Sequence, residues 1–161
     1  MSPEEKAMEW LAELVAKLLA DASAADEQVA LATSEMAKGT PSLAGMALVS
    51  VCIDRAYTAL ESGFVRVARD IDGLVPTGES WHKALLHQMT LPIMDRRPAV
   101  LRPTTSRQLD ILRCHRHWMR HAYAQSFDWA RMAPAASAMG SAVAMAREDF
   151  VQLVTFLEAK P

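Results

Sequence analysis

Between Pro41 and about Asp72, the apolar residues Met46, Val49, Ile53, Ala56, Leu60, Phe64, Val67 and Ile71 recur at steps of three and four. That spacing gathers side chains on one stripe of an α-helix, whereas in a strand it would scatter them over both faces. At 1.5 Å per residue the helix would run roughly 50 Å, and we expect it to be the longest in the chain. So long an apolar stripe can be buried only by laying other helices along it, which makes it the spine of a bundle. The rest of the sequence is suited to that task. Hydrophobic residues make up 51% of the 161 positions but aromatics only 6%, so Ala, Leu, Val and Met do most of the filling, and these favour helices over sheets.

The remaining helices are marked by their caps. Ser2-Pro3-Glu4-Glu5 is a capping box with proline at the first helical position, opening a helix that carries Leu11, Leu14, Val15 and Leu18 on one face. Ser23-Ala24-Ala25-Asp26 reads as a second start, with its helix running to about Ala37. Lys38-Gly39-Thr40-Pro41 stops that helix and caps the spine, and Gly73–Gly78 ends the spine. A shorter helix follows from Ser80 to about Leu91, with Trp81, Leu85 and Met89 on one side, and Pro92 to Pro103 is a loop. Thr104–Ser106 caps the next helix, Gln125–Trp129 turns the chain, and Pro134 opens a last helix to about Ala159. The first half of that last helix, Ala135–Ala142, is built of small residues that allow close approach within the chain or across a dimer. The expectation is an all-α, up-and-down bundle of five to six helices forming a single domain over residues 1–161.

Other classes are disfavoured. Two cysteines, Cys52 and Cys114, make no disulfide framework and suit a reducing compartment. The longest uncharged runs, Gly39–Ile53 and Met132–Ala146, reach 15 residues, short of the roughly 20 needed for a membrane span. The start of the chain is acidic where a signal peptide would be basic. We therefore expect a soluble cytoplasmic protein. The net charge of −2 is unevenly spread: residues 1–40 hold eight acids and three bases (−5), residues 93–131 eight arginines and three acids (+5). A basic segment of that kind can hold a phosphate backbone.

That segment centres on Leu112–Tyr123, which contains neither Gly nor Pro. On a helical wheel with Arg116 at zero, Leu112, Met119, Ala122, Trp118 and Ile111 fall on an arc from roughly 200° to 320°. Arg113, Arg116, Arg120, His117 and His121 fall between roughly 0° and 140°. Like charges at i, i+3 and i+4 cost a few tenths of a kcal/mol per pair, so something anionic should compensate. His115 lies mid-arc on the apolar face, as a buried, hydrogen-bonded histidine would. Tyr57 and Glu61, one turn apart on the spine, read as a buried polar pair or an ordinary core hydrogen bond. His82 and His87 form no motif by themselves. His117 and His121 at i and i+4 have the spacing of a metal clamp, but no carboxylate motif lies near enough to complete it, and Cys114 with His115 falls short of four ligands.

The cationic face is then either simply solvated or chemically used. Metal-free RNA cleavage requires a base for the 2′-hydroxyl proton, a cation for the phosphorane and a donor for the leaving 5′-oxygen. Histidine suits the proton transfers near neutral pH, and the arginine fork suits two phosphate oxygens at once.

Arg116, four residues, then His121-Ala122-Tyr123 gives Arg-x4-His-x-Tyr, a pattern that resembles the HEPN superfamily of all-helical nucleases and, within it, the HepT-like toxins. His117 fits the residue that follows the motif arginine in that superfamily. Trp81–Met89, Arg97–Leu101, Arg116–Tyr123 and Phe127-Asp128-Trp129 have counterparts in one HepT-like branch, and the likeness covers roughly residues 43–160. The resemblance implies a metal-independent endoribonuclease without a cofactor, paired as a homodimer so that both motifs line one cleft. Arg116 would stabilise the phosphorane, His121 act as general base or acid, and His117 position phosphate or imidazole, with Arg113 and Arg120 in support. It also implies a nucleotidyltransferase antitoxin as partner, which in some members adds AMP to the motif tyrosine, here Tyr123. A tyrosine that only caps the last turn is the other reading of that residue. The competing function is a non-catalytic helical subunit that presents nucleotide or protein to a nucleotidyltransferase.

Overall fold

The computed structural model describes residues 1–121 and 127–160. Among them are five α-helices: α1 (Pro3–Met36), α2 (Leu43–Val67), α3 (Trp81–Met89), α4 (Pro103–His121) and α5 (Trp129–Glu158). No strand occurs among the described residues, and the one bridge pairs Ile93 with Arg97 inside the α3–α4 loop. The fold is an all-α bundle. Helix α2 packs against all four other helices, as the spine stripe requires. Val49, Ile53, Ala56, Leu60, Phe64 and Val67 are fully buried on it, with Met46 and Ile71 packed at its ends.

Four expectations about the helices are corrected. α1 runs unbroken for 34 residues, so it, not α2, is the longest. Ser23-Ala24-Ala25-Asp26 does not restart it, because Ala22 and Ala25 are buried in the bundle and Asp26 pairs with Arg147 of α5 at 2.7 Å instead of capping. Its start is as expected: the Ser2 hydroxyl accepts from the Glu5 amide at 3.1 Å and the Ser2 amide donates to the Glu5 carboxylate at 2.6 Å. The cap of α2 is Ser42, accepting from Gly45 N at 3.2 Å, one residue beyond the stretch expected to supply it. α5 begins at Trp129, capped by Asp128, and Pro134 lies inside it. Burial of Met132 in the core and the Asp128 cap hold the extra turn despite the hydrogen bond that proline forfeits. The small residues of α5 are used within the chain, since Ala135, Ala136, Met139 and Ala142 are buried in its core.

α2 ends in a wide π-turn over Ala68–Asp72, closed by Gly73 at φ 75°, whose amide donates to the Ala68 carbonyl. The turn delivers Asp72 to Arg97, and the pair is bidentate at 2.6 Å on both arms. Both side chains are essentially inaccessible, at 2% and 0% exposure. Arg97 also donates to the carbonyls of Leu91 and Pro98. One of the arginines counted in the basic segment is therefore internal and neutralised.

By length and composition Leu43–Asp72 also meets the requirement for a membrane-crossing helix, with mean hydropathy 1.4 over its best window, which the criterion of uncharged runs passed over. Seven charged residues interrupt it, and two of them, Asp54 and Glu61, hold the arginine at the centre of the site below.

Candidate functional site

The last two turns of α4 face the beginning of α3 across an open cleft of about 500 Å³. Arg113, Arg116, His117, Arg120 and His121 line it from α4, and His82 and Lys83 from α3. The five α4 residues singled out by the wheel thus meet in one place. Tyr123 lies outside the described residues.

The arginines are not uniformly solvated. Arg116 is only 9% exposed. Its Nε donates to Asp54 Oδ1 at 2.8 Å, and a terminal nitrogen, Nη1, lies 3.6 Å from Glu61 Oε1. Arg120 reaches the same Asp54 oxygen at 3.4 Å, and Arg113 donates to Asp110 at 2.7 Å. Burial alone would lower the pKa of Arg113, but its hydrogen bond and attraction to Asp110 outweigh that and raise it. The anion needed to offset the crowded cations is therefore partly supplied by the chain itself, through Asp54, Glu61 and Asp110. Fixing Arg116 from behind leaves its guanidinium edge at the cleft wall, pre-oriented for a phosphate.

His121 is exposed, and its Nδ1 lies 2.7 Å from the His117 carbonyl, four residues earlier. Nδ1 must carry the proton to make that bond, which leaves Nε2 with the lone pair in the neutral ring. The His117 and His121 rings lie 4.2 Å apart, centroid to centroid. An arginine anchored in the same cleft as an imidazole of fixed tautomer can bind a phosphodiester there and move a proton at it.

The apolar arc behaves as expected at Leu112, which is buried, and at His115, which bonds Ser50 through Nε2 at 3.1 Å. Ile111 departs from it, at 37% exposure. Burial, reinforced by the charge of Arg131 and opposed by Asp54, holds the pKa of His115 below its ordinary value. Tyr57 and Glu61 do not pair. The Tyr57 hydroxyl finds no hydrogen-bond partner among the described residues, and Glu61 turns to His82 and Arg116.

Sequence reasoning missed His82 and Asp54. His82 opens α3 with no partner nearby in sequence; its partner, Glu61, lies 21 residues earlier. A signal for the carboxylates did exist. Asp54, Tyr57 and Glu61 stand at i, i+3 and i+7, a polar stripe beside the apolar one on the spine.

A family model described as HepT-like protein matches residues 48–157, about two thirds of the chain. The comparisons with curated proteins and with solved structures found no match. The matched span contains α3, α4, most of α2 and nearly all of α5, hence every residue of the cleft. The chain belongs to the HepT-like family of the HEPN superfamily.

Proposed function

We infer that this protein is a metal-independent endoribonuclease of the toxin type. The observation that carries the reading is the meeting of Arg116 and His121 in one open cleft, the arginine anchored from behind and the imidazole held in one tautomer. RNA lies along the basic wall formed by Arg113, Arg116 and Arg120. Arg116 takes the charge of the phosphorane, His121 takes the 2′-hydroxyl proton through Nε2, and His117 orients phosphate or ring. Two copies paired about a twofold axis would bring both motifs to a shared groove. The partner is a nucleotidyltransferase antitoxin, and AMP transferred to Tyr123 would set negative charge beside the arginines and exclude RNA. Intact-mass measurement after co-expression tests that last step: a mass gain of one AMP, absent from Tyr123→Phe, supports it, and no gain with an active partner refutes it.

The nuclease itself is tested by incubating purified protein with RNA in the presence of a chelator. Cleavage leaving 2′,3′-cyclic phosphate ends, lost by about 100-fold or more in both Arg116→Ala and His121→Ala, supports the reading. One observation favours the second reading, a non-catalytic subunit that binds nucleotide or partner: Arg116 already has two carboxylates for company. RNA binding without cleavage would establish it.

A further inference from the structure

The imidazole of His82 stands in the cleft without a part in the mechanism above. Its Nδ1 lies 2.7 Å from Glu61 Oε2 and 3.2 Å from Arg116 Nη1. In any one tautomer only one of these approaches is a hydrogen bond. A bare Nδ1 would accept from the guanidinium but set its lone pair against a carboxylate at the shorter distance. A protonated Nδ1 donates to Glu61 and satisfies an acid that is only 4% exposed. The proton therefore belongs on Nδ1, and Nε2 is the working nitrogen. Stacking on Trp81, with centroids 3.7 Å apart, holds the plane of the ring, and 30% of the side chain remains open at the cleft.

His121 is built to the same plan, with Nδ1 committed to a carbonyl. Of the three imidazoles in the cleft, two, His82 on α3 and His121 on α4, thus have Nδ1 tied to protein. Arg116 lies with them.

We propose that His82 is the second proton-transfer group of the site, the general acid for the leaving 5′-oxygen; this rests on the ribonuclease reading. In the step, the 2′-oxygen bonds to phosphorus as the bond from phosphorus to the 5′-oxygen breaks. The 2′-hydroxyl proton passes to His121 Nε2, and the Nε2 proton of the His82 imidazolium passes to the 5′-oxygen. The products are a 2′,3′-cyclic phosphate and a 5′-hydroxyl, and proton exchange with water resets both rings. The donor role falls to His82 because the Glu61 carboxylate stands against its Nδ1, where it offsets the charge of an imidazolium, whereas His121 is backed by a neutral carbonyl. Glu61 is a positioning residue, shared by the acid and the phosphate-binding cation.

The test varies the leaving group. Wild type, His82→Ala, His82→Asn and His121→Ala are assayed on an ordinary RNA linkage and on one whose bridging 5′-oxygen is replaced by sulfur, which departs as thiolate without a proton. His82→Asn keeps an N–H donor for Glu61 and guards against loss of the fold. On the ordinary linkage both His82 variants should slow by about 100-fold or more; on the sulfur linkage they should fall within about 10-fold of wild type. His121→Ala should be slow on both. Glu61→Gln should repeat the His82 pattern more weakly. If wild type cleaves but the His82 variants are unimpaired, or equally slow on both linkages, His82 is not the acid while the nuclease reading stands. A wild type inert on both substrates overturns the nuclease reading, and this assignment with it.

Discussion

Replacing Gly63 with alanine should destabilise this protein, although the same change in the middle of most helices is stabilising. A β-carbon at Gly63 would lie 2.7 Å from Cζ and 3.1 Å from Cε2 of Phe150, and 3.4 Å from Leu18 Cδ2. The Phe150 ring has nowhere to retreat: it is fully buried and meets Phe64 edge to face at 5.7 Å. Forcing a methyl into such a core costs about 1–3 kcal/mol, while relieving a mid-helix glycine gains about 1 kcal/mol. The net is a loss of about 1 kcal/mol, or about 2–4 °C in melting midpoint for a chain of this size. Gly140 on α5 is the control. It is exposed, the nearest atom to a β-carbon there is Val29 Cγ1 at 3.9 Å, and Gly140→Ala should gain about 0.5–1 kcal/mol. The two variants should therefore differ by about 2 kcal/mol with opposite signs. Urea denaturation followed by far-UV circular dichroism, at one protein concentration so that any self-association is held constant, measures both. A Gly63→Ala protein as stable as Gly140→Ala would refute the close packing of α2 on α1 and α5, and with it the seating of Asp54 and Glu61.

Arg97→Met strands Asp72 in the interior and should cost about 3–5 kcal/mol by denaturation; a loss under about 1 kcal/mol would contradict the buried pair. His115 binds its proton less readily when folded than when unfolded, so its contribution to stability is complete above its ordinary pKa of 6.5 and drains away as pH falls from there toward the lowered value. The stability of wild type should accordingly drop more steeply below pH 6.5 than that of His115→Gln, in parallel denaturant titrations. Asp54→Asn removes the anion shared by Arg116 and Arg120; single-stranded RNA should bind roughly 2–5-fold tighter at low salt, by filter binding, while cleavage slows because the Arg116 fork is no longer held.

The spine of the bundle was legible because burial on α2 follows a strict period over seven turns, and no other structure satisfies it. The α1 restart and the α5 start at Pro134 were misread for a common reason. Ser23 to Asp26 and Pro134 carry local signals for a helix start, and the burial of Ala22, Ala25 and Met132 overrides them through contacts distant in sequence. The α4 half of the site was readable because its residues share one helix face. The carboxylates behind Arg116 come from α2, and His82 is recruited by an acid on another element. Such pairings exist only once the helices are packed.

The π-turn at the end of α2 makes the molecule sensitive to chain length at residues that do not line the cleft. Deleting one residue there would swing Asp72 by roughly 100° about the axis and carry its carboxylate away from Arg97. The α3–α4 loop would then lose its buried ion pair, and only the bonds of Val100 and Leu101 to the Met89 carbonyl and of Arg102 to Asp149 would still hold the entry to α4. An insertion in the exposed stretch Thr77–Ser80 changes no such alignment, so neighbouring segments of this chain should differ sharply in how they bear a change of one residue.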